Sequence, residues 1–396
     1  MVRPSGAKRF PSAARCSRNM ATMISMRPLL LVFALLLALA SLPTARADII
    51  IATAGPMAGT NAAFGEEVRR GAELAVDDIN AAGGVNGERL VLLVEDDACD
   101  PRKAAEVAAK FIEAGAIFIA GHFCSGASMP AAKLYADAGV VLMSPASTNP
   151  KLTDEGGWNV FRTVARDDAQ GDAAAGVIAT HFAGKKVAIV RDKAAYGAAL
   201  AARFSAALPA GTEIVLDETY ASDSKEFGDL ALRLTSAGPE VVYLAGAYPE
   251  AAQIVRAMRE AGSEAQFIGA DSLLREKFYA IAKESAAGTL ASFAPDPMRL
   301  PAAQGLVRRF VAKGYQPEGA TLYTYAAVQA FAAAAQATGG TDGRQIASWL
   351  RQGHAIATAV GEISFDAKGD VARPRYTWYR WREGRFSEAD DINNPQ

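Results

Sequence analysis

Short apolar runs rich in Ile, Val and Leu recur along the chain. Between them lie longer stretches whose apolar residues return every three or four positions. Residues 48–52, 90–95, 116–120 and 140–143 have the length and branching of buried strands. The stretch from about Phe64 to Ala82 places Val68, Ala72, Ala75, Val76 and Ile79 on one face, which predicts a helix lying on a sheet. Gly83-Gly84-Val85-Asn86-Gly87 ends it, and Pro101 opens the next helix, to Ala114, as a first-turn proline. With a further helix between the third and fourth strands, the order βαβαβαβ predicts a parallel sheet covered by helices on both faces.

The same alternation starts again later, without any sequence repeat. Helices are expected at 169–182, 196–207, 225–236 and 249–261, and strands at 186–190, 213–220, 240–245, 266–269 and 288–293. Residues 162–168, which lack strong periodicity, are the candidate crossover between the two runs. After Pro295-Asp296-Pro297 the pattern is helical (301–313, about 318–337, 343–352). It ends in strands 356–365 and 373–382 around the turn Asp366-Ala367-Lys368-Gly369-Asp370.

The amino terminus has a different character. Residues 1–47 hold seven Lys or Arg and no Asp or Glu, and Arg27 precedes twelve apolar residues, Leu29 to Ala40. That run is too short to span a bilayer. Pro43 and the small-x-small pattern Ala45-Arg46-Ala47 follow it, so residues 1–47 read as a signal peptide cleaved after Ala47, leaving Asp48 first. Met20, Met23 and Met26 are alternative starts, and Cys16 precedes the apolar run, so it is no lipoprotein cysteine. An uncleaved anchor is the rival reading.

Removing the leader sharpens the charge. Of 41 basic residues seven leave with it, so 34 face 43 acidic ones, about −9 over the remaining 349 residues. No basic block marks a nucleic-acid partner, and no later segment has membrane-spanning length. A chain of this length calls for two domains. Two cysteines remain, Cys99 and Cys124. An exported chain with an even count suggests one disulfide, the alternative being two buried thiols. Both follow predicted strands that would be neighbours in the sheet. The three histidines, His122, His181 and His354, are scattered and form no metal pattern with the cysteines.

Candidate chemistry gathers at two strand ends. Gly121-His122-Phe123-Cys124-Ser125-Gly126 follows one apolar run and Ser144-Pro145-Ala146-Ser147-Thr148-Asn149-Pro150 follows the next. Carboxyl ends of parallel strands are where α/β sheets bind ligands. A helix start after Ser125 adds backbone N–H groups, a combination suited to a carboxylate. Each hydroxyl alone also reads as a helix cap; two adjacent strand ends with the same chemistry favour a ligand site. A zwitterion further needs an acid for its ammonium, and Asp271, directly after strand 266–270, either supplies it or caps a helix at Ser272. Tyr196 and Tyr323 are candidate walls. Catalytic readings lack parts: there is no Gly-x-Ser-x-Gly elbow, no phosphate loop, and no dinucleotide fingerprint. His122 is read as structural, and the pairs Asp96-Asp97 and Asp167-Asp168 as too common to signal acid–base chemistry. The chain is therefore read as a binding protein, not an enzyme, with no cofactor or metal.

Several segments together carry a resemblance. They are Gly55-Pro56, Phe64-Gly65, Gly71-Ala72-Glu73-Leu74-Ala75-Val76-Asp77-Asp78-Ile79-Asn80, Asp96-Asp97-Ala98-Cys99-Asp100-Pro101, the two strand-end motifs, Asp192-Lys193 with Tyr196-Gly197, and Gly361-Glu362-Ile363-Ser364-Phe365-Asp366. In these the chain resembles the periplasmic branched-chain amino-acid-binding proteins, solute-binding components of ATP-driven importers, along essentially its whole mature length. The resemblance implies a type I periplasmic binding fold: two doubly wound parallel-sheet α/β lobes joined by a three-strand hinge. Lobe one would be 48–166 with 295–375, and lobe two 167–294 with 376–396. It implies a periplasmic monomer that clamps an amino acid and hands it to a membrane permease and its ATPase.

By the same resemblance, Ser125, the Ala146 backbone and Thr148 match the binders of the ligand's carboxylate and ammonium. Asp271 matches the acid that receives the ammonium from lobe two, Tyr196 an aromatic over the ligand, and Tyr323 a hinge-side aromatic. Phe64, Phe123 and Ala247 join them as ligand-facing positions, and Cys99 and Cys124 match the family disulfide. Three residues depart from the pattern: Phe64 stands for a Tyr, Asp271 for a Glu, and Ala247 for a Tyr of leucine-type binders, with Tyr248 next to it. The second functional reading is a sensor or binding protein of the same fold for amides, urea or short acids.

Overall fold

The computed structural model describes residues 47–221 and 224–393. The leader, its cleavage site and Cys16 lie outside the described residues, apart from Ala47 itself. The first run of the chain is β1 (Ile49–Gly55), α1 (Ala62–Ala81), β2 (Leu90–Asp96), α2 (Pro101–Glu113), β3 (Phe118–Ile119), α3 (Ser125–Asp137), β4 (Val141–Ser144), α4 (Lys151–Asp154) and β5 (Val160–Arg162). The second is α5 (Asp167–His181), β6 (Val187–Asp192), α6 (Ala195–Ala207), β7 (Ile214–Tyr220), α7 (Gly228–Ala237), β8 (Val241–Ala245), α8 (Tyr248–Glu260), β9 (Gln266–Gly269), α9 (Glu276–Ala282) and β10 (Leu290–Phe293). The chain then adds α10 (Pro301–Ala312), α11 (Thr321–Thr338), α12 (Gly343–Leu350), β11 (Ile356–Thr358), β12 (Gly361–Ile363), β13 (Thr377–Arg382), β14 (Arg385–Glu388) and α13 (Asp390–Asn393).

Two sheets result. The first, in order β2-β1-β3-β4-β5, is wholly parallel, with Ile51 paired to both Leu92 and Phe118. The second runs β14-β13-β10-β9-β8-β6-β7, parallel from β10 to β7 and antiparallel at β13 and β14. Each sheet has an apolar layer on both faces, as its β-branched strands demand. The chain thus passes between the sheets three times: after β5, after β10, and before β13.

Local signals explain most boundaries. Asp100 accepts the amides of Arg102 at 2.8 Å and Lys103 at 3.0 Å, capping α2 ahead of Pro101. The α1 stripe buries Val68, Ala72, Ala75 and Val76 as the spacing requires, with Ile79 half-buried against the same core. Helix α11, alanine-rich and buried almost all round, crosses α1 closely. At Gly71 a Cβ would lie 2.3 Å from the Thr321 carbonyl oxygen, so only glycine permits this approach.

The carboxyl-terminal part departs from expectation. Residues 356–365 do not pair with 373–382. They fold on themselves as the hairpin β11–β12, turning through Ala359-Val360 into Gly361 at φ +94°. Only Phe365 and Val371 bridge across the expected turn. Strand β13 instead pairs with β10, and with β14, which the apolar pattern did not announce. Its signal was the turn Glu383-Gly384, both residues at positive φ. Strand β5 was likewise missed, because one of its three residues is an arginine. The strands preceding the two cysteines are not neighbours either: β2 and β3 flank β1.

The cysteines nevertheless join. Cys99 and Cys124 form a disulfide with Cα atoms 5.4 Å apart, closing a separation of 25 residues and tying the loop after β2 to the start of α3. By loop-closure entropy, replacing both cysteines with serine lowers unfolding stability by about 3 kcal/mol, checked by urea unfolding of the oxidised native protein beside the variant.

Candidate functional site

The loops after β3 and β4 are held by a hydroxyl lattice. The His122 carbonyl accepts from Ser144 Oγ at 2.8 Å and Ser128 Oγ at 3.2 Å, and Ser147 Oγ donates to the Phe123 carbonyl at 2.9 Å. His122 itself is fully buried, Nδ1 donating to the Asp97 carboxylate at 2.7 Å and Nε2 facing the Tyr135 hydroxyl at 3.0 Å. A carboxylate only accepts, which fixes that tautomer. The residue is thus a structural pillar, as the sequence suggested.

On this lattice stand the expected first-lobe residues. Ser125 is the first residue of α3, buried, its Oγ accepting the Asn149 amide at 3.3 Å. Ala146 is half-buried, its N–H directed at Ser144 Oγ at 3.4 Å. Thr148 is buried, and its Oγ1 has no hydrogen-bond partner among the described residues. Arg162, at the end of β5, fixes this loop from below. It is fully buried and donates Nη1 to the carbonyls of Ser147 at 2.8 Å and Asn149 at 3.0 Å, and Nη2 to Thr153 Oγ1 at 2.7 Å. Its Nε pairs with Asp370 at 2.7 Å, bringing in the turn that precedes β13.

The second lobe supplies the facing wall from the ends of β6, β8 and β9. Tyr196, in the first turn of α6, donates its hydroxyl to Asp271 Oδ1 at 2.9 Å. Asp271 follows β9 at the start of a 3₁₀ turn, Asp271–Leu273. Burial pushes its carboxyl up, against the pull of Arg275 and of the Tyr196 hydroxyl. Burial also pushes the Tyr196 phenol well up, and the Asp271 charge adds to it. Ala247 joins the group through Asp192, whose carboxylate accepts the amides of Ala194 at 3.0 Å and Ala247 at 3.3 Å and so fixes the starts of both α6 and α8. Tyr323, in α11, is buried edge-on to Phe293 with ring centroids 5.5 Å apart, and feels the Asp271 charge.

The two walls touch. Phe64 of α1 stacks on Phe123 at 4.6 Å and meets Tyr248 edge-on at 5.2 Å, so a first-lobe ring is embedded in the apolar layer of the second sheet. Asn149 Nδ2 donates across to the Ala195 carbonyl at 2.8 Å. The chain is therefore in a closed arrangement, with residues of the two sheets' loops and helices in direct contact. Ser125, Thr148, Phe123 and Phe64 belong to loops and helices of the first sheet, and Tyr196 and Asp271, joined by their hydrogen bond, to those of the second.

One residue at this junction escaped the sequence reading. Asp167 begins α5, is fully buried, and has neither carboxylate oxygen hydrogen-bonded among the described residues. Burial pushes its carboxyl well up. The Thr148 hydroxyl, close by but outside hydrogen-bonding geometry, opposes this, while the Asp271 charge reinforces it. The hydroxyls of Tyr243 and Tyr376 feel both carboxylates, and Tyr243 has no partner of its own among the described residues. In sequence, Asp167-Asp168 looked like an ordinary pair at a helix start. Only burial separates them, since Asp168 pairs with Arg166 at 2.8 Å.

Comparison with known proteins agrees with this geometry. Residues 48–385 match the model of a family described as periplasmic binding protein. A Leu/Ile/Val-binding protein homolog of Brucella melitensis is 41% identical over 342 residues, covering 86% of this chain and 92% of that protein. An amino acid binding protein of Pseudomonas aeruginosa is 40% identical over 349 residues, 87% and 93% of the two chains. Among solved structures, a leucine binding protein from Thermotoga maritima superposes with a TM-score of 0.80 at 26% identity, covering 86% of this chain and 97% of that one. A branched-chain amino acid transporter substrate binding protein from Streptococcus pneumoniae, in complex with isoleucine, gives 0.79 at 25% identity, covering 86% and 100%. With two mainly parallel α/β sheets and a family match along nearly the whole described chain, the protein belongs to the periplasmic binding protein family.

Proposed function

We propose that the protein is the solute-binding component of an ATP-driven importer and captures branched-chain or related α-amino acids between its two lobes. The observation that carries this is the pairing of chemistries across the junction. One side offers Ser125, the unpartnered Thr148 hydroxyl and the amino-terminal end of α3; the other offers Asp271, with Asp167 at the crossover. A zwitterion satisfies both at once: its carboxylate takes the hydroxyls and helix N–H groups, and its ammonium takes the acids. The names of the Brucella, Pseudomonas and Streptococcus relatives support the same reading.

Phe64, Phe123 and Tyr323 form the apolar wall for the side chain. Ala247 takes an aromatic ring's worth of bulk out of that wall, and Tyr248 does not replace it, because its ring is turned onto Phe64. The site accordingly admits side chains larger than, or shaped differently from, that of leucine. Export after cleavage at Ala47 delivers the protein to the periplasm, where its closed form is the one a permease recognises. Calorimetry on residues 48–396, refolded to remove carried-over ligand, against the proteinogenic amino acids, γ-aminobutyrate, urea and short amides tests the proposal. Micromolar or tighter binding of α-amino acids supports it, and binding of urea or amides alone overturns it.

Two predictions follow from the acids. Asp271→Ala removes a charge-assisted contact from a water-poor cleft and weakens amino-acid binding by more than about tenfold in the same titration. Asp167 acts on stability as well as on binding. Its folded carboxyl binds a proton more tightly than in the unfolded chain, so the native state holds more protons between the usual carboxylate range of about 4 and the elevated folded value. Its contribution is therefore present at low pH and is lost as pH rises through the elevated value. Asp167→Asn removes that loss. The ligand-free thermal midpoint rises by about 2 °C or more at pH 8, with little change at pH 4, while amino-acid affinity falls.

A further inference from the structure

Beside the proposed ligand site, a second buried polar group joins the lobes. Arg275 follows the Asp271 turn in lobe two and is 4% exposed; Glu67 lies on α1 in lobe one and is 1% exposed. Arg275 Nε donates to Glu67 Oε1 at 2.8 Å and Nη2 to Oε2 at 3.3 Å. The same guanidinium turns its third nitrogen, Nη1, back to the carbonyls of Asp271 at 3.0 Å and Ser272 at 3.2 Å, and lies over the Phe64 ring at 4.7 Å. Glu67 Oε2 also accepts the Ala320 amide at 2.8 Å, so the amino-terminal end of α11 enters the same knot. Gly319, at φ +51°, leaves room for it: a Cβ there would stand 2.3 Å from Glu67 Oε2 and 2.7 Å from Arg275 Nη2. Beside it, Glu318 of lobe one accepts the Glu276 amide of lobe two at 3.2 Å.

We infer that Glu67 and Arg275 form an interlobe clasp that sets the register of closure and positions the Asp271 turn without touching the ligand. The positioning half of this inference rests on the amino-acid reading above. Both charges are desolvated only when the lobes meet, so in the open form each is free to be hydrated. A buried pair adds little net stability over neutral groups of the same shape, but removing one partner leaves an uncompensated charge in the closed form. The clasp thus penalises every closure that misaligns the lobes. Because Arg275 also holds the carbonyls of the acid turn, correct closure and correct placement of Asp271 are one event. Arginine is required here, since a lysine ammonium cannot bridge a carboxylate and two carbonyls in one plane.

The test is a double-mutant cycle on Glu67→Gln, Arg275→Gln and the double variant. It reads affinity by calorimetry for L-leucine, or for whichever proteinogenic amino acid the native protein binds most tightly, with ligand-free unfolding midpoints as the folding control. Glu67→Gln weakens binding on the order of 100-fold, and the double variant is no weaker than the weaker single. Glu67→Gln affinity within about threefold of native, or strictly additive effects in the double variant, overturns the clasp. If no amino acid binds the native protein, the functional reading fails by itself. The clasp is then judged by small-angle scattering of the ligand-free chains: a larger radius of gyration in Glu67→Gln supports it, and an unchanged one overturns it.

Discussion

Two carboxylates meet at the junction of the lobes, Asp167 fully buried and Asp271 half-buried. The nearby positive charges already have partners. Arg162 holds Asp370 and the carbonyls of the Thr148 loop, and Arg275 holds Glu67. Closing over this junction without ligand therefore buries uncompensated acid, which costs free energy unless the carboxyls take up protons. In the proposed reading an arriving ammonium removes that cost and brings a carboxylate for the opposing hydroxyls. Such a ligand interacts far better with the closed than with the open form, which is the condition for it to shift the population toward closure.

The crossover between the lobes does more than connect them. Arg162, the last residue of β5, reaches the loop after β4, helix α4 through Thr153, and the turn before β13 through Asp370. A few residues on, Arg166 pairs with Asp154, Asp168 and the same Asp370, and accepts the Tyr376 hydroxyl at its carbonyl at 2.6 Å. The first and third passages of the chain between the sheets are thereby bound into one network beside Asp167.

The sequence revealed the strands and most helices because their apolar periodicity matches their final burial. It offered Ser125, Thr148 and Asp271 as candidates because each follows a strand's carboxyl end, a position readable from order alone. It hid what depends on distant partners. Asp167 is distinguished from Asp168 only by the Tyr243, Tyr376 and Asp271 groups that surround it, contributed by β8, the third crossing and β9. Glu67 and Arg275 are 208 residues apart and look like surface charges on helix ends. Strand β5 carries an arginine, and β13 abandons the expected turn to complete the edge of the other sheet, a choice set by tertiary pairing rather than local pattern.

In the proposed site the polar groups and the rings are held in place by different means. The groups proposed to bind the zwitterion are fixed by backbone: the end of α3, the Arg162-anchored loop, and the turn held by Arg275. The side-chain wall rests on rings packed against one another, Phe64 on Phe123 and Tyr248, and Tyr323 on Phe293. Exchange of Tyr for Ala at position 247 alters only the second set, since Ala247 contributes its amide to Asp192 whatever its side chain. In the proposed site the wall is therefore free to vary while the charged contacts stay in register.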